Sequence, residues 1–260
     1  MVSLDCVRSW KMQKLCAIKG AKYVFLKTGA YRPEVVAFTM KAASEAKIDM
    51  LTFDGAGGGT GKAPVPMMNE MSTPTVHLEA QVLACAQILK KKGKFLPDMV
   101  MAGGFVNEGQ IYKAMAMSNI GGGFYIKAIA MARAPILAAM KSTYFAKMAE
   151  SGSLPKSFSD SYSSDPANFF IMAKEMAKDK NLKLGQNLPW GAVGLHTYLV
   201  DRLGVGLKQL MAGSRKFSLK DLDRSDIAAL NPYASQVTGI ETFDQMSSRV
   251  MPGILEYWDE

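Results

Sequence analysis

Cysteine and histidine are scarce in this chain: three Cys and two His among 260 residues. Cys6, Cys16 and Cys85 have no CxxC spacing and form no disulfide framework. His77 and His196 leave a metal site little to draw on, so no bound metal is expected. Long apolar runs are also missing. The best stretch, Phe124 to Met140, is interrupted by Lys127 and Arg133, so no membrane span is expected. Residues 1 to 20 carry charge throughout and lack an apolar h-region. No secretory leader is therefore expected, and a cytoplasmic location is the default. The net charge is +8, from 31 Lys+Arg against 23 Asp+Glu. That balance suits anionic small molecules. The basic residues are dispersed and match no nucleic-acid motif, so no nucleic-acid partner is expected. The one cluster, Lys90 to Lys92, closes an expected helix, where cations complement the helix dipole.

What the chain does have is apolar residues (48%), 19 methionines and 23 glycines. The methionines sit mostly at helical spacing beside Ala and Leu and read as core filler. The glycines are concentrated where they carry information. Residues Asp49 to Phe53 form a short apolar run that ends in Asp54. Five glycines follow within seven residues: Gly55, Gly57, Gly58, Gly59 and Gly61. Glycine costs conformational entropy and packs no side chain. It offers backbone N–H groups and close approach to a ligand. A plain mobile turn also fits the first cluster taken alone. The pattern recurs at Pro97 to Gly104, an apolar run followed by Gly103-Gly104. Two such transitions favour a ligand site at the strand ends of an α/β protein.

Periodicity predicts helix over the first 20 residues, strand over Tyr23 to Lys27, and a helix from Arg32-Pro33 to about Ala46. A strand over Asp49 to Phe53, the glycine loop, a Pro-rich segment and a helix from Val76 to Lys92 come next. Strand Asp98 to Ala102, helix Asn107 to Met117, strand Phe124 to Ala128 and helix Arg133 to Glu150 complete a β-α-β-α-β-α-β-α series. The strands read as continuous apolar runs, as in a parallel sheet buried on both faces. Spacings of 27 residues from Lys27 to Asp54 and 24 from Gly103 to Lys127 each match one βα unit. The expected organisation is residues 1–150 as a partial barrel carrying the site and residues 151–260 as a helical extension. In the extension, Ser151 to Asp165 reads as a linker. Helical patterns cover Pro166 to Lys180, Ala192 to Ala212 and roughly Leu219 to Leu230. Gly191, Gly194, Gly204 and Gly206 suggest closely packed helix ends.

Ligands of parallel α/β folds bind at the carboxyl ends of the strands. Lys27, Asp54, Gly103, Gly104 and Lys127 are expected there. An ammonium on a buried strand is costly without a partner, which marks Lys27 as a functional cation, although a lysine that snorkels to solvent fits too. Gly103 and Gly104 precede a helix and form an anion site with Arg133 on the same rim.

The order Phe25-Leu-Lys-Thr28, Asp54-Gly55, Gly58-Gly-Thr-Gly61, Pro64, Ala102-Gly-Gly104 and Ala130-Met-Ala-Arg-Ala134 resembles the FMN-binding domain of glutamate synthase, above all the short stand-alone glutamate synthase-like proteins. The likeness runs over about residues 20 to 240, into Pro189 to Leu195 and Gly204 to Gly213. It implies a TIM (β/α)8-type barrel with FMN as cofactor. It implies that Lys27 contacts 2-oxoglutarate and flavin, and that Asp54, opening the loop over flavin and substrate, is catalytic. The loop containing Gly58, Gly59 and Thr60 would cover the flavin. Gly103, Gly104, Ala132 and Arg133 would hold its phosphate. The implied reaction forms L-glutamate by hydride transfer to the imine of 2-oxoglutarate and ammonia.

The chain departs from that pattern in four ways. Only four βα units are visible, so the sequence reads as the C-terminal half of a barrel plus its tail, in need of a partner for its sheet edges. A missing barrel half, a glutaminase subunit and an electron-donor subunit are the partners this implies. Residues 103–260 hold no Cys, so no iron–sulfur cluster is expected. Position 2 is Val rather than a glutaminase nucleophile. Ala132 stands where the phosphate motif carries Gly. A non-catalytic or truncated half-barrel is the alternative reading. An IMP dehydrogenase-like enzyme is a third, but it needs a loop cysteine, and no Cys is expected at a strand end.

Overall fold

The computed structural model describes residues 20–29, 32–57, 64–179 and 181–256. The helix expected within the first 20 residues falls almost wholly outside that range. Contacts group the described residues into two units. The first comprises the residues up to Phe105, Ile111–Ala130, and those from Lys216 onward; the second comprises Val106–Gln110 and Met131–Arg215.

The first unit is built on a four-stranded parallel sheet. Its strands are β1 (Phe25–Gly29), β2 (Met50–Asp54), β3 (Asp98–Ala102) and β6 (Ile126–Ala130), side by side in that order. A two-residue hairpin, β4 (Asn119–Ile120) with β5 (Gly123–Phe124), precedes the last strand. The strand order follows the chain. Right-handed crossovers in such a sheet put every connecting helix on one face. Those helices are α1 (Pro33–Glu45), α2 (Val65–Asn69) with α3 (Thr75–Lys91), and α4 (Glu108–Ser118). Side chains alternate along a strand. Leu51, Phe53, Met99, Met101 and Ile126 form one set and are fully buried, together with Val36, Met40, Leu78, Val82 and Leu83 of the helices. The other set runs through Phe25, Lys27, Met50, Thr52, Asp54, Val100, Ala102, Ala128 and Ala130 by the strand register. On that face Thr52 and Val100 are buried, while Phe25 and Lys27 at one edge and Ala128 near the other are exposed.

The α/β class and parallel sheet agree with the sequence reading; the expectation of two equally buried faces does not hold at the edges. Continuous apolar runs arise here because β2 and β3 are central strands. The last strand lies two residues later than expected. Lys127 is thus not at a strand end. It is the residue skipped in the β3–β6 register, and its Nζ donates back to the Phe124 carbonyl at 2.6 Å. Lys27 is the third residue of β1 rather than its last. Helix starts were read well. Pro33 opens α1, and Asn107 Oδ1 accepts from Gln110 N at 2.9 Å ahead of α4.

Residues from Lys216 onward join the sheet unit rather than a separate tail. The helix expected over Leu219 to Leu230 is reduced to the single turns Leu219–Asp221 and Arg224–Asp226. Asp223 breaks it by turning its carboxylate onto Ser225 N at 2.7 Å, a local bond that competes with helix.

In the second unit, α5 (Arg133–Glu150) packs on α7 (Trp190–His196), with α6 (Lys156–Tyr162) between them in sequence. Gly194 allows the crossing, since a Cβ there would overlap the Ser142 side chain; at Gly191 it would sit 3.1 Å from the Ala139 carbonyl. The expected linker over Ser151 to Asp165 is instead partly helical. Phe158 anchors it in a cluster of rings, 5.2 Å from Phe145 and 5.1 Å from Phe169. Serine and proline content suggested a linker, but two aromatic anchors, Phe158 and Tyr162, outweigh it. The pattern over Pro166 to Lys180 breaks into the turns Pro166–Phe169 and Ala173–Met176. The expected Ala192 to Ala212 helix is continuous in path, passing through a π-helical stretch, Thr197–Val205, into α8 (Gly206–Gly213). Two C-terminal helices of the first unit, α9 (Pro232–Thr238) and α10 (Phe243–Leu255), were not read from the sequence.

Candidate functional site

The carboxyl ends of the four strands meet in one rung, Gly29, Asp54, Ala102 and Ala130. Asp54 belongs to the inner set of side chains, two residues beyond Thr52, which pairs with Lys27. Lys27 Nζ lies 2.7 Å from Asp54 Oδ2. The two ends of this pair differ in exposure: the aspartate side chain is 6% exposed and the lysine side chain 50%. A buried carboxylate requires such a partner. The exposed half of Lys27 remains available to a second anion. Sequence reasoning named both residues, and the fold joins them.

Next to the pair, the chain turns after β2 and after β3 in direct backbone contact. Gly55 N donates to the Ala102 carbonyl at 2.9 Å. Gly103 has φ of +111° and Gly104 +74°, conformations that favour glycine. A Cβ on Gly103 would lie 2.7 Å from both N and O of Gly55, and one on Gly55 would lie 2.8 Å from Thr75 Cα. Thr75, the first residue of α3, ties the two turns together. Its hydroxyl donates to the Gly103 carbonyl at 2.8 Å and reaches the Ala56 carbonyl at 3.4 Å. Sequence reasoning missed Thr75; the Pro-Thr step opening α3 was the available signal.

The donors divide into used and unused. Gly55 N, Ala56 N and Gly57 N are bonded to the carbonyls of Ala102, Thr73 and Met68. The first part of the glycine loop is therefore structural and offers no free donor, contrary to the expectation drawn from its composition. Gly58, Gly59 and Thr60 lie outside the described residues. Among the described residues, the N–H groups of Gly103 and Gly104 have no acceptor. Among the described residues a Cβ on Gly104 would meet the Ala56 carbonyl at 3.6 Å, an ordinary contact. Ala132 and Arg133 fall in the second unit, as the N-cap and first residue of α5.

Among the described residues Cys85, His77 and Glu79 lie in helix α3 rather than at the strand ends. Cys85 sits within α3, half-buried, and burial pushes its thiol pKa up, which makes it a poor nucleophile. That position counts against an IMP dehydrogenase-like mechanism. His77 is joined to Tyr233, Nε2 to the phenol oxygen at 3.0 Å. Among the described residues no group of His, Cys, Asp and Glu is arranged to hold a metal, and no helix is long and apolar enough to cross a membrane. Glu79 of α3 is buried with one carboxylate oxygen unpartnered, and burial raises its pKa well above the ordinary range while Arg224 opposes the rise. Arg224 itself clamps the later segment, donating to the carbonyls of Met117 at 3.1 Å and Thr238 at 2.8 Å. In the second unit Glu108 pairs with Arg202 at 3.3 Å.

These features define an α/β protein whose parallel sheet carries, at its strand ends, a lysine–aspartate pair beside a Gly-Gly turn. Residues 9–135 match the family described as the conserved region in glutamate synthase. That stretch, just under half the chain, is a glutamate synthase-like region. It holds all four strands of the sheet and each candidate residue from Lys27 to Arg133. No curated protein and no solved structure matches the chain.

Proposed function

We propose that this chain carries the substrate and flavin-phosphate side of a glutamate synthase-type oxidoreductase, housed in a (β/α)8-type barrel of which its sheet is one half. The observation that carries the reading is the Lys27–Asp54 pair within the matched region, with the lysine half-exposed. Asp54 fixes the ammonium in place. The ammonium binds a carboxylate of 2-oxoglutarate, or of the imine formed from it and ammonia. The same positive charge stabilises negative charge that develops beside it during reduction.

The residues present fit FMN in part. The N–H groups of Gly103 and Gly104, without an acceptor among the described residues, suit a phosphate oxygen. Ala132 and Arg133, which the family resemblance also assigns to the phosphate, belong to the second unit, and Gly58, Gly59 and Thr60 lie outside the described residues. When bound, FMN supplies the hydride that reduces the imine carbon, and a proton on nitrogen completes L-glutamate. Electrons reach the flavin from a donor outside this chain, and ammonia comes free or from a glutaminase partner.

The test is glutamate formation by the purified chain from 2-oxoglutarate and ammonium with chemically reduced FMN. Glutamate that depends on all three supports the reading. Flavin-loaded protein that makes none contradicts the assigned reaction. The second reading, a non-catalytic half-barrel, is favoured by the open edges of the four-stranded sheet. It expects protein that takes up no flavin.

A further inference from the structure

The turn after β3 carries two amide groups whose directions are fixed from outside it. In a trans peptide the carbonyl and the following N–H point opposite ways, and no cis peptide occurs among the described residues. Whatever holds a carbonyl therefore aims the next N–H. The Ala102 carbonyl accepts from Gly55 N at 2.9 Å, which turns the Gly103 N–H away from the turn after β2. The Gly103 carbonyl accepts from the Thr75 hydroxyl at 2.8 Å, which turns the Gly104 N–H away from the start of α3. Among the described residues neither N–H has an acceptor. Successive N–H groups of a turn, aimed the same way, suit an anion.

We propose that Thr75 is the positioning residue that gives this turn its preference for a phosphorylated ligand over the same ligand without its phosphate. The proposal rests on the phosphate reading of Gly103 and Gly104 above. Thr75 acts through the peptide that joins the two glycines.

The local sequence places the hydroxyl. Pro74, with φ of −54°, sets the entry into α3. Ala56 N donates to the Thr73 carbonyl at 2.8 Å, so this entry is bound to the turn after β2. The β-branched side chain of threonine restricts χ1, so the hydroxyl loses little freedom when it is aimed. It has one proton to give. The Gly103 carbonyl at 2.8 Å takes it in preference to the Ala56 carbonyl at 3.4 Å. The approach is close: a Cβ on Gly103 would lie 2.8 Å from Thr75 Oγ1.

The peptide between Gly103 and Gly104 needs such a hold. Glycine has wide backbone freedom on both sides of it, and φ of +111° and +74° are two of many accessible values. With the hydroxyl gone, the peptide can turn over and present the Gly103 oxygen where the site needs a donor. A carbonyl dipole facing a phosphate is repulsive. The loss therefore falls on the phosphate and spares the rest of the ligand.

The experiment is a fluorescence titration of the full chain with FMN and, separately, with riboflavin. It compares the wild type with Thr75→Val, which keeps the shape without the hydroxyl, and Thr75→Ser, which keeps the hydroxyl. Thr75→Val is expected to weaken FMN by about tenfold with riboflavin unchanged, and Thr75→Ser to stay within about twofold of the wild type. Equal weakening of both ligands, no weakening, or a serine variant as weak as the valine one overturns the proposal. A wild type that binds both ligands equally does the same. Circular dichroism checks folding; if Thr75→Val does not fold, Thr75→Cys, of like size and a weaker donor, serves in its place. A wild type that binds neither flavin removes the flavin reading alone. Thr75 is then read with inorganic phosphate, through the amide resonances of Gly103 and Gly104. Saturable shifts at both, lost in Thr75→Val and kept in Thr75→Ser, uphold the proposal. No shifts in the wild type, or equal shifts in Thr75→Val, overturn it.

Discussion

Lys27 and Asp54 together set the chemical character of the site. A half-exposed ammonium held at 2.7 Å by a buried carboxylate is rigid at one end and open at the other. Lys27→Ala leaves that carboxylate buried without its partner and takes away the cation proposed to bind the substrate. It is expected to lower kcat by about 10²–10³-fold with FMN binding largely retained. Stopped-flow oxidation of reduced FMN by 2-oxoglutarate and ammonium measures this, and unchanged turnover removes Lys27 from the mechanism. Glu79 matters for stability instead. Its pKa is raised by burial, so the folded state prefers the protonated acid. Its contribution is full below the ordinary carboxylate range and is lost as pH rises through the raised pKa. Glu79→Gln removes that dependence. Relative to the wild type, its urea midpoint should improve as pH goes from about 5 to about 8. A constant difference across that range would show that burial does not raise the Glu79 pKa in the fold.

The elements differ in how far local sequence determined them. In α5 and α7 the decisive residues are small ones. Gly194→Ala gains up to about 1 kcal/mol of helix propensity, but its Cβ enters the space of the Ser142 side chain. The net expectation is a loss of about 1–3 kcal/mol in urea unfolding. A stabilised variant would mean that the two helices do not approach so closely. The strands of the sheet, α1, α3 and α5 were legible because each combines a strong period with a clear stop. Pro33, Lys90 to Lys92 and Gly103-Gly104 are such punctuation. Asp54 and Lys27 stood out in the sequence because charge interrupts apolar strands there. The stretches Ser151 to Lys180 and Leu219 to Leu230 were not legible. Phe158 finds its partners across sequence in Phe145 and Phe169, and Asp223 breaks a helix through one side-chain bond. Neither effect has a period. The used state of the Gly55 to Gly57 donors was equally hidden, because their acceptors at Ala102, Thr73 and Met68 are set by tertiary packing. Thr75 was missed for the same reason.

At the scale of the whole molecule, the chain presents a parallel sheet whose strand ends carry a cation, a buried carboxylate and a Gly-Gly turn. The net charge of +8 favours the anionic ligands that such a rim would take. The residues from Lys216 onward belong with this sheet. Arg224 ties them to Met117 and Thr238, so the site unit is assembled from both halves of the sequence. The account stands on the claim that this assembly receives a flavin phosphate at Gly103 and Gly104. The most direct measurement is the visible absorption spectrum of the purified full chain titrated with FMN, run beside Gly104→Asp. Saturable binding with shifted flavin bands in the wild type, abolished when a carboxylate stands against the phosphate, is the predicted result. A flavin spectrum that does not change on adding wild-type protein, or that changes equally with Gly104→Asp, would contradict it.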